Sequence, residues 1–258
     1  MTEVSNKTAV VTGGLAGIGL AISQALLAAG VQVAIGTRRG GGAEAQARAR
    51  QDLGDGVRVY PLDVRDEASV AGFHDKVTQD LGEIDILVNS AGITVHQTVS
   101  GHSLSTWRDV LDTNLTGPFL TMRACLPGMK ARGWGRIVNI ASTAATTAVA
   151  DHPAYCASKA GLLGLSRAAA LEGAPHGVSC VTVSPTWVET DMLRESAATM
   201  ARNNGRSFAD EMAALAAANP QNRLVQPQEI GALVAFLCSD AAPALTMEDI
   251  SVNAGAHW

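Results

Sequence analysis

Apolar and polar positions along this chain fall into two alternating patterns. Short runs rich in β-branched residues are almost continuously apolar, which is typical of strands in a parallel sheet covered on both faces. The longer stretches between them repeat their apolar residues at helical spacing, as Ile18, Ile22 and Leu26 do in the first stretch. The runs predict strands at 8–12, 31–36, 57–62, 84–89, 136–140, 178–184 and 249–253, and the stretches predict helices at 17–29, 67–81, 104–132, 154–174 and 228–238.

This alternation predicts an α/β fold, with a Rossmann-type, doubly wound parallel sheet of about seven strands. Right-handed crossovers would bring the carboxyl ends of the strands to one edge, where such sheets bind ligands. No linker or repeat divides the chain, so residues 1–258 are expected to form a single domain. The one long interruption, at about 189–225, is interpreted as a substrate lid built of short helices, the alternative being a packed surface excursion.

Composition excludes several classes of protein. Apolar residues make up 47% of the 258 residues, enough for a substantial core and too many for a disordered chain. The net charge is −5 and the basic residues are scattered, so nucleic-acid binding is not expected. No apolar run approaches the ~18 residues that would span a membrane. Residues 1–7 lack the basic start and apolar core of a secretion signal, which favours a cytoplasmic protein.

The cysteines and histidines do not form metal-binding patterns. Cys125, Cys156, Cys180 and Cys238 include no CxxC pair, and the six histidines show no HxxxH spacing. We therefore expect free thiols in a reducing compartment and no metal.

A glycine-rich turn joins the first predicted strand to the first predicted helix. Its sequence, Thr12-Gly13-Gly14-Leu15-Ala16-Gly17-Ile18-Gly19, has the spacing TGxxxGxG rather than GxGxxG. Glycines permit a tight turn and close approach of the backbone to phosphate, and the helix N-terminus adds N–H donors. The position of the turn favours a dinucleotide site.

Tyr155 and Lys159 are four residues apart and meet on one helical face. A lysine cation beside a phenol favours the phenolate and lowers the phenol pKa. A tyrosine tuned in this way exchanges a proton with an alcohol or ketone near neutral pH.

Taken together, TGxxxGxG, Asn89-Ser90-Ala91-Gly92, Asn114, Ser142, Tyr155 and Lys159 resemble the short-chain dehydrogenase/reductase family. The resemblance covers residues 8–255 and is greatest to the single-domain branch that includes β-ketoacyl-carrier-protein reductases. It implies an NAD(P)-dependent oxidoreductase, a homotetramer in most relatives, that interconverts a ketone or 3-oxoacyl group and a secondary alcohol by hydride transfer. The alternatives are oxidation of a small hydroxy acid, as by 3-hydroxybutyrate dehydrogenases, and a non-redox protein of the same fold.

The resemblance also assigns catalytic roles. Ser142 would polarise the substrate carbonyl, and Tyr155 would be the acid in reduction and the base in oxidation. Lys159 would lower the Tyr155 pKa and hold the nicotinamide ribose. Asn114, inside the helix predicted at 104–132, would hold a water that links Lys159 to solvent.

The cofactor roles implied by the resemblance lie at the strand ends. The glycine turn would bind the pyrophosphate and Asp63 the adenine, although Asp63 could instead cap the following helix. The implied cofactor-binding residues are Gly13, Gly17, Ile18, Gly19, Thr37, Arg38, Asp63, Val64, Asn89, Ala91, Gly92, Tyr155, Lys159, Pro185, Val188 and Thr190.

The end of the second strand bears on the choice between NADP and NAD. A carboxylate there would bind the ribose 2′-hydroxyl of NAD and repel a 2′-phosphate, but the chain has Thr37, Arg38 and Arg39. Arg38 could pair with a phosphate, so NADPH is favoured. Ala16 stands where many NADP-dependent relatives have a second basic residue, which leaves NAD as the alternative.

The substrate site is expected to come from 94–97, 143–145, the lid, His152 and Trp187, with His96 and Ala144 singled out in the first two segments. Ala144 leaves room, and Trp187 offers an apolar wall. Each histidine either orients a carboxylate or hydroxyl of the substrate or is simply packed. Trp258 is expected to bury against a neighbouring subunit, or else to fray in solvent.

Overall fold

A seven-stranded parallel sheet forms the centre of the computed structural model, which describes residues 4, 6–38 and 42–256. Its strand order is β3-β2-β1-β4-β5-β6-β7, and every neighbouring pair is parallel. The strands are β1 Thr8–Thr12, β2 Gln32–Thr37, β3 Val57–Pro61, β4 Ile86–Asn89, β5 Gly135–Ile140, β6 Val178–Pro185 and β7 Asp249–Val252. The predicted Rossmann-type sheet is confirmed, and each strand end lies within two residues of its prediction.

Nine α-helices accompany this sheet in the described ranges. They are α1 Gly17–Ala28, α2 Ala43–Leu53, α3 Glu67–Leu81, α4 Leu104–Leu111, α5 Gly117–Arg132, α6 Pro153–Gly173, α7 Asp191–Asn204, α8 Phe208–Ala217 and α9 Pro227–Leu237. Helix α2 was not predicted, because only Ala49 of it is buried and its apolar pattern is correspondingly weak.

The two faces of the sheet explain why the strands are apolar without alternation. Val11 and Val88 belong to a cluster on one face, whereas their neighbours Val10 and Leu87 belong to a cluster on the other. Successive strand residues point to opposite faces, so both sets are buried when helices cover both sides. Each such side chain contributes about 1.5–3 kcal/mol by burial.

The chain order changes direction between β1 and β4. Strands β2 and β3 lie on one side of β1, and β4 to β7 lie on the other. The crossover connections diverge at this point, which opens a crevice outside the carboxyl ends of the two strands. The glycine turn follows β1 and residues 90–97 follow β4, so both borders of the crevice carry sequences that were singled out as candidate sites.

The interruption at 189–225 consists mainly of α7 and α8, as the prediction of short helices required. Leu193, Ala197, Leu215 and Leu224 form a separate apolar cluster that packs these helices together. The two ends of the segment are joined by a parallel bridge between Val188 and Val225. The segment is therefore a compact unit anchored at both ends near the carboxyl end of β6.

Among the residues that the structure describes, no helix is both long and apolar enough to cross a membrane. Arg39 and Trp258 lie outside the described residues, so the expectations for these two side chains remain predictions.

Candidate active site

A cavity of about 630 Å³ lies at the carboxyl edge of the sheet, between the glycine turn and the α7–α8 segment. Most of the residues singled out in the sequence reach its wall. They are Gly13, Gly17, Ile18, Gly19, Thr37, Arg38, Asp63, Val64, Ala91, Gly92, Ser142, His152, Tyr155, Lys159, Pro185, Trp187, Val188 and Thr190.

The glycine turn forms a cradle that side chains would block. Gly13 and Gly17 have positive φ angles of 70° and 50°, which L side chains rarely adopt. At Gly19 an added Cβ would lie 2.4 Å from the carbonyl oxygen of Gly13, closer than any side chain permits. The N-terminus of α1 opens at this turn, so the local backbone fits the pyrophosphate of a dinucleotide.

Thr12 connects this cradle to the end of β4. Its Oγ1 accepts hydrogen bonds from the backbone N–H groups of Ser90 and Ala91, each at 3.1 Å. The bonds keep the segment after β4 against the glycine turn, and Ala91 and Gly92 thereby form part of the cavity wall.

Asn89, which precedes this segment, is turned away from the cavity. Its Nδ2 donates to Asn139 Oδ1 at 2.8 Å, and its Oδ1 accepts from Thr121 Oγ1 at 2.7 Å. Asn139 in turn donates to Ser166 Oγ at 2.8 Å. This buried network joins β4 and β5 to α5 and α6, so Asn89 stabilises the framework of the site rather than touching a cofactor.

Arg65 is a residue of the cavity wall that the sequence reasoning missed. Its guanidinium binds Asp63 at 2.7 Å, and both side chains line the cavity beside Arg38. Hydrogen bonds from Arg65 lower the pKa of Asp63 to about 2, so this carboxylate is ionised. The alternative that Asp63 caps α3 is wrong, because Asp66 accepts the capping bond from Ala68 N.

Tyr155 and Lys159 lie on α6 with the Lys159 ammonium 5.6 Å from the centre of the phenol ring. Lys159 is only 5% exposed, and its Nζ donates to the Ile140 carbonyl oxygen at 2.7 Å. Burial lowers the pKa of Lys159 to about 8. The ammonium of Lys159 is therefore fixed at the end of β5 and loses its proton more readily than that of an exposed lysine.

The pKa of Tyr155 is subject to opposing influences in this structure. Burial raises this pKa, and hydrogen bonding with Ser142 opposes the rise. That Lys159 lowers the Tyr155 pKa stays a prediction. The phenol is held in its protonated form, which suits donation of a proton.

Ser142 follows β5 at the start of a short 3-10 turn over Thr143–Ala145. Its Oγ accepts from the Ala144 N–H at 3.1 Å, which orients the hydroxyl at the cavity wall. Ala144 itself is 2% exposed and its side chain does not line the cavity, so it is not placed at the substrate as expected. The wall here is formed instead by Thr147, Ala148, Val149 and Ala150.

Asn114 lies on a turn of π-helix, Asp112–Thr116, that interrupts the helix predicted at 104–132. Its Oδ1 accepts from Ile93 N at 2.9 Å, and its Nδ2 donates to Ile93 O at 2.9 Å and to Ser158 Oγ at 3.1 Å. A π-turn accommodates one extra residue and often marks a functional site. Here it aims a buried amide at the segment after β4.

Gly92 marks where Asn114 and Lys159 approach each other. A Cβ added at Gly92 would lie 3.4 Å from Asn114 Oδ1 and 3.8 Å from Lys159 Nζ. The amide and the ammonium thus meet beside the same backbone. Neither is hydrogen-bonded to the other, because Asn114 is engaged by Ile93 and Ser158 and Lys159 by Ile140.

Thr190 connects the α7–α8 segment to the glycine turn. Its Oγ1 caps α7 by accepting from Leu193 N at 3.3 Å, and its methyl group would lie 3.2 Å from a Cβ at Gly17. The cap places the start of α7 directly over the glycine turn. Pro185 and Val188 precede it at the end of β6 and also line the cavity.

The two candidate histidines, His96 and His152, lie at different depths behind the surface of the cavity. His152 and Trp187 line the cavity, but His96 does not and instead packs behind His152 with ring centres 4.0 Å apart. Thr94, Met192, Leu193, Ser196 and Met200 also line the cavity, in segments expected to contribute to the substrate site. The sequence reasoning missed Ile93, Thr147 and Val149, which carry no motif.

Comparison with known proteins supports the arrangement. A family model described as enoyl-(acyl carrier protein) reductase matches residues 13–257. The chain is 37% identical over 256 residues to the 3-oxoacyl-(acyl-carrier-protein) reductase of Vibrio cholerae, covering 99% of each chain. It is 39% identical over 253 residues to the D-threitol dehydrogenase of Mycolicibacterium smegmatis, covering 98% of this chain and 94% of that protein.

Two further comparisons agree. The D-beta-hydroxybutyrate dehydrogenase of Cupriavidus necator is 36% identical over 242 residues, which is 93% of each protein. A solved structure titled "Crystal structure of gox2181" is 33% identical and has a TM-score of 0.88, covering 98% of this chain and 96% of that one. The chain therefore belongs to the short-chain dehydrogenase/reductase family, and it is an oxidoreductase that uses a nicotinamide cofactor to interconvert a ketone and a secondary alcohol.

Proposed function

We propose that this protein is an NADPH-dependent reductase of a small ketone or 3-oxoacyl group, with Tyr155 as its acid and base. One observation carries the proposal. Tyr155 and Ser142 open into the same cavity as the glycine cradle, so a carbonyl bound beside them lies at the nicotinamide end of a bound dinucleotide.

The side chains divide the work of the reduction. When bound, the nicotinamide supplies the hydride that reduces the carbonyl carbon. Ser142 donates a hydrogen bond to the carbonyl oxygen, and Tyr155 delivers its proton to that oxygen as the alcohol forms. The raised pKa of Tyr155 keeps this proton in place before the reaction. Such general acid catalysis contributes about 10²–10⁴-fold to the rate.

Lys159 and Asn114 restore the proton in this scheme. The Lys159 cation stabilises the phenolate that remains after proton transfer and holds the nicotinamide ribose. Its pKa of about 8 lets it release a proton near neutral pH. Asn114 orients the Ile93 backbone beside Gly92, where a water would connect Lys159 to solvent.

The preference for NADPH rests on the charges at the adenosine end. Arg38 follows β2 and Arg65 follows β3, and these strands are paired in parallel, so both guanidinium groups reach one part of the cavity. The ionised Asp63 there is already paired with Arg65. A 2′-phosphate would gain a charge-assisted hydrogen bond from Arg38, with a typical contribution of about 1.5–3 kcal/mol.

The α7–α8 segment serves as the lid of this site in our proposal. Met192, Leu193, Ser196 and Met200 of α7 lie on the cavity wall. The apolar cluster of the segment is separate from the main core, which allows the two helices to move as one unit. The lid would exclude water from the hydride transfer.

A homotetramer is part of the same proposal. Exposed apolar side chains on α4, α5 and α6, namely Leu104, Phe119 and Leu171, support subunit contacts on this side of the molecule. Light scattering coupled to size exclusion should give about four times the chain mass of 26.6 kDa.

A cytoplasmic location is supported by the state of the cysteines. Burial raises the pKa of Cys125, Cys180 and Cys238 to about 12, so these thiols are unreactive core residues. Fractionation of cells that express the chain would test the location.

The central test measures turnover of NADPH and NADH with a panel of small ketones, 3-keto esters and 3-hydroxybutyrate. We expect ketone-dependent oxidation of NADPH, with NADH clearly poorer. Arg38→Ala should weaken NADPH binding by about ten-fold or more and leave NADH binding unchanged. Arg50→Ala, on the exposed face of α2, is the control and should change neither. A clear preference for NADH would refute the cofactor assignment, and turnover of 3-hydroxybutyrate alone would favour the hydroxy-acid alternative.

A further inference from the structure

His152 lies next to the Tyr155 phenol at the substrate end of the cavity. It directly precedes α6, and its ring centre is 6.4 Å from that of Tyr155. The residue is 5% exposed, and what is exposed belongs to the cavity wall. A group in this position faces the substrate atoms adjacent to the carbonyl that Tyr155 protonates.

The hydrogen bonding of His152 determines which ring nitrogen carries the proton. Nδ1 is 2.6 Å from the carbonyl oxygen of Ala150. A carbonyl oxygen only accepts, so Nδ1 is the donor, and in a neutral imidazole Nε2 is then an acceptor. Within the described part of the chain Nε2 has no partner, and, unlike Nε2 of His96, it is not sealed inside the protein. It therefore opens into the cavity as a hydrogen-bond acceptor.

His96 packs edge-on against the His152 ring, with the two ring centres 4.0 Å apart at an angle of 66°. Burial, together with the neighbouring His152, lowers the pKa of His96. The Gln97 N–H also donates to the Asp151 carbonyl oxygen at 2.8 Å, which fastens the His96 segment to the turn that carries His152.

The charged groups around the substrate end of the cavity, beside His152, do not suit a carboxylate substrate. Within the described cavity wall, the cations are Arg38 and Arg65 at the adenosine end and Lys159, whose ammonium is engaged by Ile140. Asp191 adds a negative charge at the start of α7. A substrate carboxylate beside His152 would meet an acceptor nitrogen and no free cation.

We propose that Nε2 of His152 accepts a hydrogen bond from a substrate hydroxyl next to the reacting carbon, so that the enzyme acts on α-hydroxy ketones and vicinal diols rather than on oxo acids. The inference rests on the ketone reductase proposed above and specifies its substrate class. The hydroxyl donates to the neutral imidazole while the neighbouring carbonyl lies against Ser142 and Tyr155.

The test compares three substrates of one shape with NADPH: 1-hydroxy-2-butanone, 3-pentanone and 2-oxobutanoate. They place a hydroxyl, a methyl group and a carboxylate oxygen, respectively, near His152. Because a hydroxyl alters the intrinsic reactivity of a ketone, the readout is the kcat/KM ratio of the hydroxy ketone to 3-pentanone in each variant. We expect the ratio to fall about ten-fold or more in His152→Leu. A ten-fold change corresponds to the free energy that one hydrogen bond typically contributes.

Two variants complete the design. His152→Gln retains an acceptor and should keep most of the ratio, and His176→Leu removes an exposed histidine far from the cavity and should keep all of it. Both His152 variants must retain NADPH binding, which shows that they fold. If neither does, the wild-type preference for the hydroxy ketone over 2-oxobutanoate decides the question.

The outcomes separate the two proposals. An equal ratio in wild type and His152→Leu, or a wild-type preference for 2-oxobutanoate, would overturn the role of His152 and leave the reductase intact. Failure of wild type to reduce any of the ketones with either cofactor would overturn the proposed reductase and this inference together.

Discussion

The cofactor half and the substrate half of the cavity are built in different ways. The cofactor half depends on the backbone of eight consecutive residues, Thr12 to Gly19, where positive φ angles and the absence of Cβ atoms create the cradle. The substrate half depends on side chains from segments that are far apart in the chain, such as Thr94, His152, Trp187 and Met200. A cradle made of backbone tolerates few changes, whereas a wall made of separate side chains can be altered one residue at a time.

The difference suggests how the family supports several substrates. A cofactor that is common to the family requires one backbone geometry at its phosphates, and the spacing of the glycines in the turn provides that geometry. The substrate wall has no such requirement, and the relatives of this chain carry names that refer to different substrates. Changes in the two halves should therefore give separable kinetic effects.

The largest loss of activity is expected for a change at Tyr155, which lies between the cofactor half and the substrate half of the cavity. Tyr155→Phe removes the proton that completes the reduction and should lower kcat/KM about 10³-fold, within the range of general acid catalysis. Steady-state kinetics would measure this, and NADPH fluorescence should show that cofactor binding is retained. Full activity in the variant would exclude Tyr155 as the acid.

The next effect concerns Lys159, whose pKa is about 8 in the folded chain and about 10.5 when exposed. Between these values the unfolded chain binds more protons than the folded one, so this group makes the folded state more stable as pH rises. Since one pKa unit is about 1.4 kcal/mol, the free energy of unfolding of wild type should rise by about 3 kcal/mol relative to Lys159→Met between about pH 7 and pH 10.

The comparison with Lys159→Met is necessary because other groups titrate in the same range. Cys125, Cys180 and Cys238 have raised pKa values and lower the stability of both proteins at high pH as their thiols ionise in the unfolded chain. Urea unfolding at a series of pH values isolates the lysine as the difference between the two curves. If the free energies of unfolding of the two proteins changed in parallel with pH, Lys159 would not be desolvated in the folded chain.

Gly19→Ala tests the cofactor half alone. The new Cβ would lie 2.4 Å from the Gly13 carbonyl oxygen, so the cradle must distort, and NADPH affinity should fall about 30-fold, or about 2 kcal/mol. Isothermal titration with NADPH measures the loss, and KM for the ketone at saturating NADPH should change little. Gly164→Ala is the matched control, because α6 has open space there and alanine should raise stability by about 0.4–1 kcal/mol. A similar loss in both variants would contradict the cradle.

Met200→Ala tests the substrate half and should have the smallest effect. Met200 lines the cavity from α7, and its truncation should raise KM for the ketone several-fold while leaving NADPH affinity unchanged. Met247→Ala shortens an exposed methionine that precedes β7 and does not line the cavity, and it should leave KM unchanged. A loss of NADPH affinity in Met200→Ala would show that the two halves are coupled.

The sequence predicted some features of the fold and missed others, depending on whether adjacent residues encode the feature. The seven strands and the glycine turn were predictable because each is encoded by adjacent residues. Helix α2 was missed because its exposed surface carries no apolar stripe. The π-turn at Asn114 was missed because a single extra residue does not disturb the helical repeat that predicted 104–132.

The site residues likewise divide into those that sequence motifs predicted and those that only the packing of the fold positions. Motif residues such as Ser142 and Tyr155 do reach one cavity, as their order along the strand ends implied. Arg65 was missed because only the packing of β3 against β2 brings it next to Arg38. His96 and Ala144 were expected at the substrate, but packing placed His96 behind His152 and buried Ala144 under the Ser142 turn.

The sequence by itself determined the sheet and the glycine turn and singled out Tyr155 as the candidate acid, because these depend on periodicity and on residues close together in the chain. The tertiary structure decided the electrostatics and the substrate wall. Burial raises the pKa of Tyr155 and lowers that of Lys159, and the bond from His152 to Ala150 decides which imidazole nitrogen is left as an acceptor. Desolvation and hydrogen-bond direction depend on every neighbour in space, and those neighbours come from segments that only folding brings together.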